Sequence, residues 1–436
     1  MIAYIMYVNN FGTQKLLLDT ENGINKGITA GSFELTINEI GSLEFTMVKS
    51  HPCYDDIKLI DSTIALQMKH IDSNGVTQDM WWPFVGRPTS IRKDMYGNMQ
   101  VTCESAVGYL NDVYVVYYDY KYTTFYDLLH HVIPQYNTIK EKTHTFYSNV
   151  PSTWRKIDYE QTHSGDQSAF VYNKDYDKEN KNESAIKVFD LIKDQILDAY
   201  GGTLYFIYYP NNGDYKIRCG YYGFEDLWHG FDYSTSYNVM PHYGLEIETP
   251  RWYPRFSIDE NIMSITEEPI KNGIYTGILP IGNEAIFREE KWIYQSSLGS
   301  NEPCRDRIVK AVQFDTDSVV KAEDESEEDY KQRVRYKLDE YSANYISRFY
   351  DHNYFANTNY TINAIEPCEG PGDFKLRKIV KPCYMVDVDT NGRIDNCIRR
   401  VCISIKHDLF NIQNSEYIVG DVIPNNIINE DISRWR

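Results

Sequence analysis

No stretch of the 436-residue sequence approaches the ~18 consecutive apolar residues of a membrane-spanning helix, so none is expected. The opening, MIAYIMYVNNFGTQK, lacks both a basic segment and a small-residue cleavage site, and no secretory signal is expected there. No C-x-x-C occurs. The eight cysteines stand scattered at 53, 103, 219, 304, 368, 383, 397 and 402, a pattern that predicts free, buried thiols rather than a disulfide framework or a zinc knuckle. Basic charge is scarce: 44 Lys and Arg against 63 Asp and Glu leave a net charge of −19. That argues against a protein that grips DNA through its phosphates. It fits either a surface past which DNA slides without sticking or plain solubility. There is no G-x-S-x-G, no H-E-x-x-H and no P-loop, which removes the hydrolases and nucleotide-binding enzymes those motifs define. A two-carboxylate glycosidase site would need one pair to stand out, and none does among 63 acidic residues.

What is present is a chain of two to four domains by length, globular by composition, with 42% apolar and 25% charged residues. Tyrosine is abundant, 38 residues against 18 Phe. A ring with a polar tip suits strands and wet subunit interfaces, and codon bias in an AT-rich genome gives the same excess.

The most legible stretch runs from Ser32 to Asp112. Phe33, Leu35 and Ile37 alternate with polar residues, as do Leu43, Phe45 and Met47, the period of a strand with one buried face. Val101 and Cys103 face one way, Thr102 and Glu104 the other. Asp72-Ser73-Asn74-Gly75 and Tyr96-Gly97-Asn98 supply hairpin turns. Turns every 8–12 residues predict a small sheet closing into a barrel or sandwich. Beyond it, Thr124 with Asp127 reads as a capping box opening a helix through Phe125, Leu128, Leu129 and Val132 that stops at Pro134. A second helix is expected from Ser184 to Tyr200, with Ala185, Val188, Phe189, Ile192, Ile196 and Ala199 on one face. Gly201-Gly202 ends it, and a hairpin turning at Pro210-Asn211-Asn212-Gly213 follows. A third helix is capped by Ser326 and Asp329, with Tyr330, Val334, Leu338, Tyr341, Tyr345 and Phe349 as its stripe. Strands close the chain. No internal repeat is visible.

Over residues 32–112 the sequence resembles the opening domain of tailed-phage baseplate hub proteins, the tail-tip family whose longer members are the tail-associated lysins. The resemblance rests on the shared order of Gly41, Leu43, Glu44, Phe45, His51, Pro52, Tyr54, Phe84, Gly86, Arg87, Asp94, Gly97, Cys103, Glu104, Tyr109, Leu110 and Asp112. The helix–Gly-Gly–hairpin unit at 184–222 and TGILPIGNE at 276–284 are similar to later parts of the same family. The resemblance implies an α+β, mainly β fold: a multi-domain hub with small tube-like β-barrel domains and an inserted α+β module. Its segments would be a first barrel at 1–116, the module at 117–240, a β-rich connection at 241–325 and a helix with a small β-domain at 326–436. A second barrel would draw on 241–325 or on the last hundred residues. The implied function is structural: a homotrimeric ring at the distal tip of the tail, joining a six-fold tube to a three-fold tip and gating DNA ejection. The implied partners are the distal tail ring protein, the tape measure protein and a tail fibre, tip or lysin protein, with genomic DNA passing through unbound. Longer relatives carry a wall-cleaving domain after the hub region. Here about sixteen residues follow Gly420, so lytic activity is not implied. The competing readings are a wall-degrading enzyme and a glycan-binding module.

No catalytic, cofactor or metal residue is assigned. Asp387, Asp389, Asn391, Gly392, Ile394 and Asp395 match the first nine positions of an EF-hand loop. Position 12 is Ile398 where a bidentate Glu is needed, and the flanks read as strands, so a hairpin turn is expected instead of a calcium site. His130 and His131, adjacent on a helix, project about 100° apart and cannot readily share a metal. His51 is expected to be structural. Cys103 and Glu104, on opposite strand faces, form no dyad.

Overall fold

A computed structural model describes residues 2–116 except for 11–12, 25–26 and 73, and beyond them mainly 132–138, 185–193, 203–211, 214–222, 254–258, 261–269, 277–282, 309–313, 325–352, 358–365, 379–382, 385–389, 398–411 and 415–420, with short pieces between. The chain divides into two compact units, Met1–Thr266 with Tyr360–Val422, and Glu267–Asn359 with Ile423–Arg436.

The first unit begins with seven strands: β1 Ile2–Asn10, β2 Thr13–Asp19, β3 Ile28–Thr36, β4 Ser42–Met47, β5 Thr63–Ile71, β6 Thr77–Lys93 and β7 Met99–Ser105. They pair antiparallel in the order β2-β1-β5-β6-β7-β4-β3. The expected alternation holds: Phe33, Leu43, Phe45, Met47, Val101 and Cys103 are buried. The long strand β6 carries two prolines that cannot donate to a ladder. Both Pro83 and Pro88 fall where the register with a neighbour shifts, the positions at which a strand tolerates proline.

The sheet is a curled half-barrel rather than the closed barrel expected. No β2–β3 pairing joins its ends among the described residues. Instead β3 continues into the strand Ile398–Asp408, with Phe33 opposite His407 and Leu35 opposite Ile405. That strand pairs antiparallel with Met385–Asp389 and Glu416–Gly420, and Met385–Asp389 pairs parallel with Pro254–Ser257. Strands from 241–325 and from the last hundred residues therefore lie in one sheet. A single core runs through it, from Tyr4, Met6, Phe33, Phe45, Leu66 and Phe84 to Phe256, Val388, Ile405 and Tyr417.

The opposite face of β5 and β6 is buried too. Ala65 and Val85 point away from that core into a second one, with Tyr109, Leu110, Val132, Tyr136, Val188, Leu191, Leu204 and Tyr208. Strands covered on both faces read as apolar runs, as TIALQM does. Ala185–Lys187 is a strand paired with Tyr114–Val116, and the helix is Val188–Ile192 in the described residues. The helix expected from Ser184 thus starts later, because the edge of Tyr114–Val116 takes up its first residues. Pro134 lies within a helix at 132–138 rather than ending one. It lacks an N–H but keeps its carbonyl, which accepts from Thr138 Oγ1 at 2.8 Å. The hairpin follows as expected: Asn211 lies opposite Asp214, so Asn212-Gly213 is a two-residue loop. Phe125, Leu128, Leu129, Ile196 and Ala199 lie outside the described residues.

In the second unit Gly277–Ile281 pairs parallel with Val309–Gln313 and antiparallel with Lys291–Trp292. The helix Glu327–His352 buries Val334 and Leu338. Its start is capped: Ser326 Oγ accepts from the Asp329 N–H at 3.1 Å and donates to Asp329 Oδ2 at 2.6 Å. Asp339 takes Arg288 and Lys291 at 2.8 and 2.7 Å, and these bonds, Arg288 foremost, hold its carboxyl below the usual range.

Candidate functional site

Three charged residues of the residue pattern at 32–112 meet at one point. Arg87 on β6 reaches Glu104 on β7 through Nε at 2.7 Å, and holds both oxygens of Asp112 at 2.6 Å through its two terminal nitrogens. The guanidinium carbon lies 5.1 Å from the centre of the Tyr109 ring. Burial works to lower the guanidinium pKa, but Asp112 and then Glu104 outweigh it and hold it above its ordinary value. A planar fork between two carboxylates is the geometry arginine makes and lysine does not.

Glycines in and beside the pattern let this clamp close. A Cβ on Gly86 would stand 2.0 Å from the Glu104 carbonyl oxygen, and one on Gly108 would stand 2.9 Å from the Glu104 carboxylate carbon. Gly41 donates its N–H to Ser105 Oγ at 3.0 Å and accepts from the Ser105 N–H at 2.8 Å. The clamp thus fastens β6 and β7 to the 3-10 turn Ala106–Asp112, from which the chain leaves for the second core. One cation serves two carboxylates, so the cluster carries a net negative charge.

His51 is buried, with Nε2 3.1 Å from the Leu17 carbonyl and Nδ1 accepting the Cys53 N–H at 3.0 Å. Both ring nitrogens serve the loop between β4 and β5. Cys103 is in the core, its thiol pKa raised by burial and then by Glu104 and Glu44, while Glu104 turns to Arg87. Cys53, Cys103 and Cys402 are free, buried thiols.

The calcium-like segment enters from the strand Met385–Asp389 and leaves into Ile398–Asp408, which pair antiparallel as the arms of a hairpin. Asp389 is fully buried and its carboxylate is taken by Arg255 at 2.6 Å. Asn391, Gly392, Ile394 and Asp395 lie outside the described residues, as do His130 and His131. Among the described residues no three His, Cys, Asp or Glu side chains are grouped to hold a metal ion, and no helix is long and apolar enough to cross a membrane.

Two features left no local signal in the sequence. The Arg255–Asp389 pair joins residues far apart in the chain. A cleft edged by Asn38 and walled by Trp82, Phe189 and Tyr208 opens where the second core meets the first sheet.

No family model and no curated protein matches this sequence. Solved structures do. The tail protein from Neisseria meningitidis is 12% identical with a TM-score of 0.51, over 97% of this chain and 99% of that one. A prophage tail protein from Listeria monocytogenes is 13% identical with a TM-score of 0.45, over 98% and 95%. A prophage tail protein from Shewanella oneidensis is 9% identical with a TM-score of 0.44, over 97% and 99%. At such identities only the fold is shared, and the Neisseria protein carries that comparison: from end to end, this mainly β, multi-domain chain has the fold of a tail protein.

Proposed function

We propose that this chain is a structural hub protein at the distal tip of a phage or prophage tail. Three copies form a ring between a six-fold tail tube and a three-fold tip. The observation that carries the reading is the likeness to a tail protein over nearly the full length of both chains. Sequence and fold point the same way, since the clamp residues Gly86, Arg87, Glu104, Tyr109 and Asp112 belong to the pattern that resembles baseplate hubs.

The symmetry has a physical basis. A trimer in which each chain offers two tube-like β-domains presents six similar docking surfaces on one side and three-fold symmetry on the other. The half-barrel of β1–β7 is the first such domain. The second is built from Pro254–Ser257, Ile262–Pro269, Thr358–Ala364, Met385–Asp389, Ile398–Asp408 and Glu416–Gly420. The elements between them form the inserted module. Docking partners are the distal tail ring protein, the tape measure protein and a fibre, tip or lysin protein. The protein is not an enzyme in this reading; its ring closes the tube and opens for ejection. The channel wall is acidic or neutral, keeping DNA phosphates off it, in line with the net charge of −19.

Electron-microscopic class averages of the purified chain test this. Three-fold rings with a central channel are expected, together with no clearing of cell walls in a zymogram and no binding of duplex DNA at about 150 mM salt. Monomers that clear cell walls would support the enzyme instead.

A further inference from the structure

The cleft between the first sheet and the second core lies outside the Arg87 clamp, although Gly41 and Ser105 line it. Trp82, Phe189, Phe206 and Tyr208 form aromatic walls, and Asn38 and Glu39 form one edge. That edge is built rather than incidental. Asn38 has φ of 62°, a left-handed conformation that asparagine tolerates better than most residues, and its Oδ1 accepts the Leu204 N–H at 2.8 Å. The bond ties the turn after β3 to the far wall and sets Glu39 at the rim.

Two polar groups here are uncommitted. Among the described residues Glu39 is exposed, is the one charged residue in the lining and has a carboxylate without a partner. Tyr208 is only 9% exposed, and its hydroxyl likewise has no hydrogen-bond partner among the described residues. Burial, with Tyr109 second, raises its pKa, so it stays a neutral phenol. The nearby cation, Lys381, lies over Trp81 at 5.8 Å and does not line the cleft.

Aromatic faces beside a carboxylate favour an organic cation over an anion. Among side chains arginine fits best. Its guanidinium is flat, weakly hydrated, stacks on aromatic rings and offers five N–H donors to acceptors such as a carboxylate and a phenol oxygen. We propose that this cleft receives the arginine side chain of a partner protein, with the guanidinium on the aromatic walls and its N–H groups donating to Glu39 and Tyr208. The excess negative charge of the chain favours a basic partner in the approach. The inference goes beyond the hub reading and does not depend on three copies forming a ring.

The test titrates the full chain with acetyl-Gly-Arg-Gly-amide at constant ionic strength, followed by calorimetry. The reference is the same peptide with citrulline, which keeps the shape and loses the charge. Saturable binding of the arginine peptide is expected, with citrulline at least about tenfold weaker. Glu39→Gln should weaken arginine binding by about tenfold and Tyr208→Phe severalfold, while the unfolding midpoint of Glu39→Gln stays unchanged because Glu39 is exposed. No saturable heat up to about 10 mM peptide, equal binding of citrulline, or unchanged binding by Glu39→Gln would each overturn the proposal.

Discussion

The His407 ring lies flat against Phe33, with centroids 5.1 Å apart and planes 6° from parallel. The two residues face each other across β3 and the strand Ile398–Asp408, so this stack is part of the seam joining the N-terminal strands to the C-terminal ones. Tyr4 and Tyr417 meet the same ring edge-on. The Tyr4 hydroxyl is 2.9 Å and Ser415 Oγ 3.2 Å from Nδ1, and Nε2 has no hydrogen-bond partner among the described residues.

This seam should be acid-sensitive. Burial lowers the His407 pKa to about 3, so the folded state holds it neutral. In the unfolded chain it titrates near its ordinary value of about 6.5. The folded pKa is the lower one, so the unfolded state binds the extra proton. Stability is full above about pH 6.5 and falls as pH drops toward 3, by about 2 kcal/mol at pH 5 from this group. Urea unfolding at pH 7 and pH 5 measures the loss, and His407→Phe should reduce it by that amount. An identical pH dependence in the variant would remove His407 as the cause.

Removing Arg87 should cost far more than a surface ion pair. Arg87→Ala leaves Glu104 and Asp112 as two partly buried carboxylates without their cation, at a cost of about 3 kcal/mol. Arg87→Lys recovers only part, since one ammonium cannot serve both carboxylates as a fork. Denaturant midpoints of the two variants decide this. A loss under about 0.5 kcal/mol in Arg87→Ala would make the clamp ornamental.

Two glycines separate crowding from backbone conformation. Gly86→Ala drives a methyl group to 2.0 Å from a backbone oxygen that cannot move aside, so the expected result is insoluble protein or a loss above about 4 kcal/mol. Gly75 has φ of 80° with nothing within 4 Å, so Gly75→Ala should cost only about 1 kcal/mol, the strain of a left-handed alanine. Equal effects at the two positions would contradict the clamp geometry.

What was legible in the sequence was local. Leu43, Phe45 and Met47 announce a one-sided strand because side chains alternate at period two, and Asn212-Gly213 announces its hairpin because few residues tolerate such turns. The same logic misread Ala185–Lys187, where helical spacing competes with a strand edge supplied by Tyr114–Val116. The seam at Phe33 and His407, the parallel pairing of Pro254–Ser257 with Met385–Asp389 and the Arg87 clamp join distant residues. Nothing in the spacing along a chain encodes which distant strand becomes a neighbour. The order of Gly86, Arg87, Glu104 and Asp112, part of the resemblance to baseplate hubs, hinted at a common purpose without showing that these residues touch.

Chelators should leave the protein unaffected. Asp389, which would be a ligand in a calcium loop, already spends its carboxylate on Arg255, and removing it strands that cation. EDTA is expected to leave the melting temperature unchanged, while Asp389→Ala lowers it by several degrees. A drop with EDTA that calcium restores would reinstate the metal reading.

Sedimentation equilibrium of the purified chain tests the central claim most directly. One chain weighs 51.1 kDa. A hub ring predicts a species of three times that mass, growing with concentration and free of dimers. A chain that stays monomeric at about 100 μM, or that stops at two copies, would contradict the proposed three-fold ring.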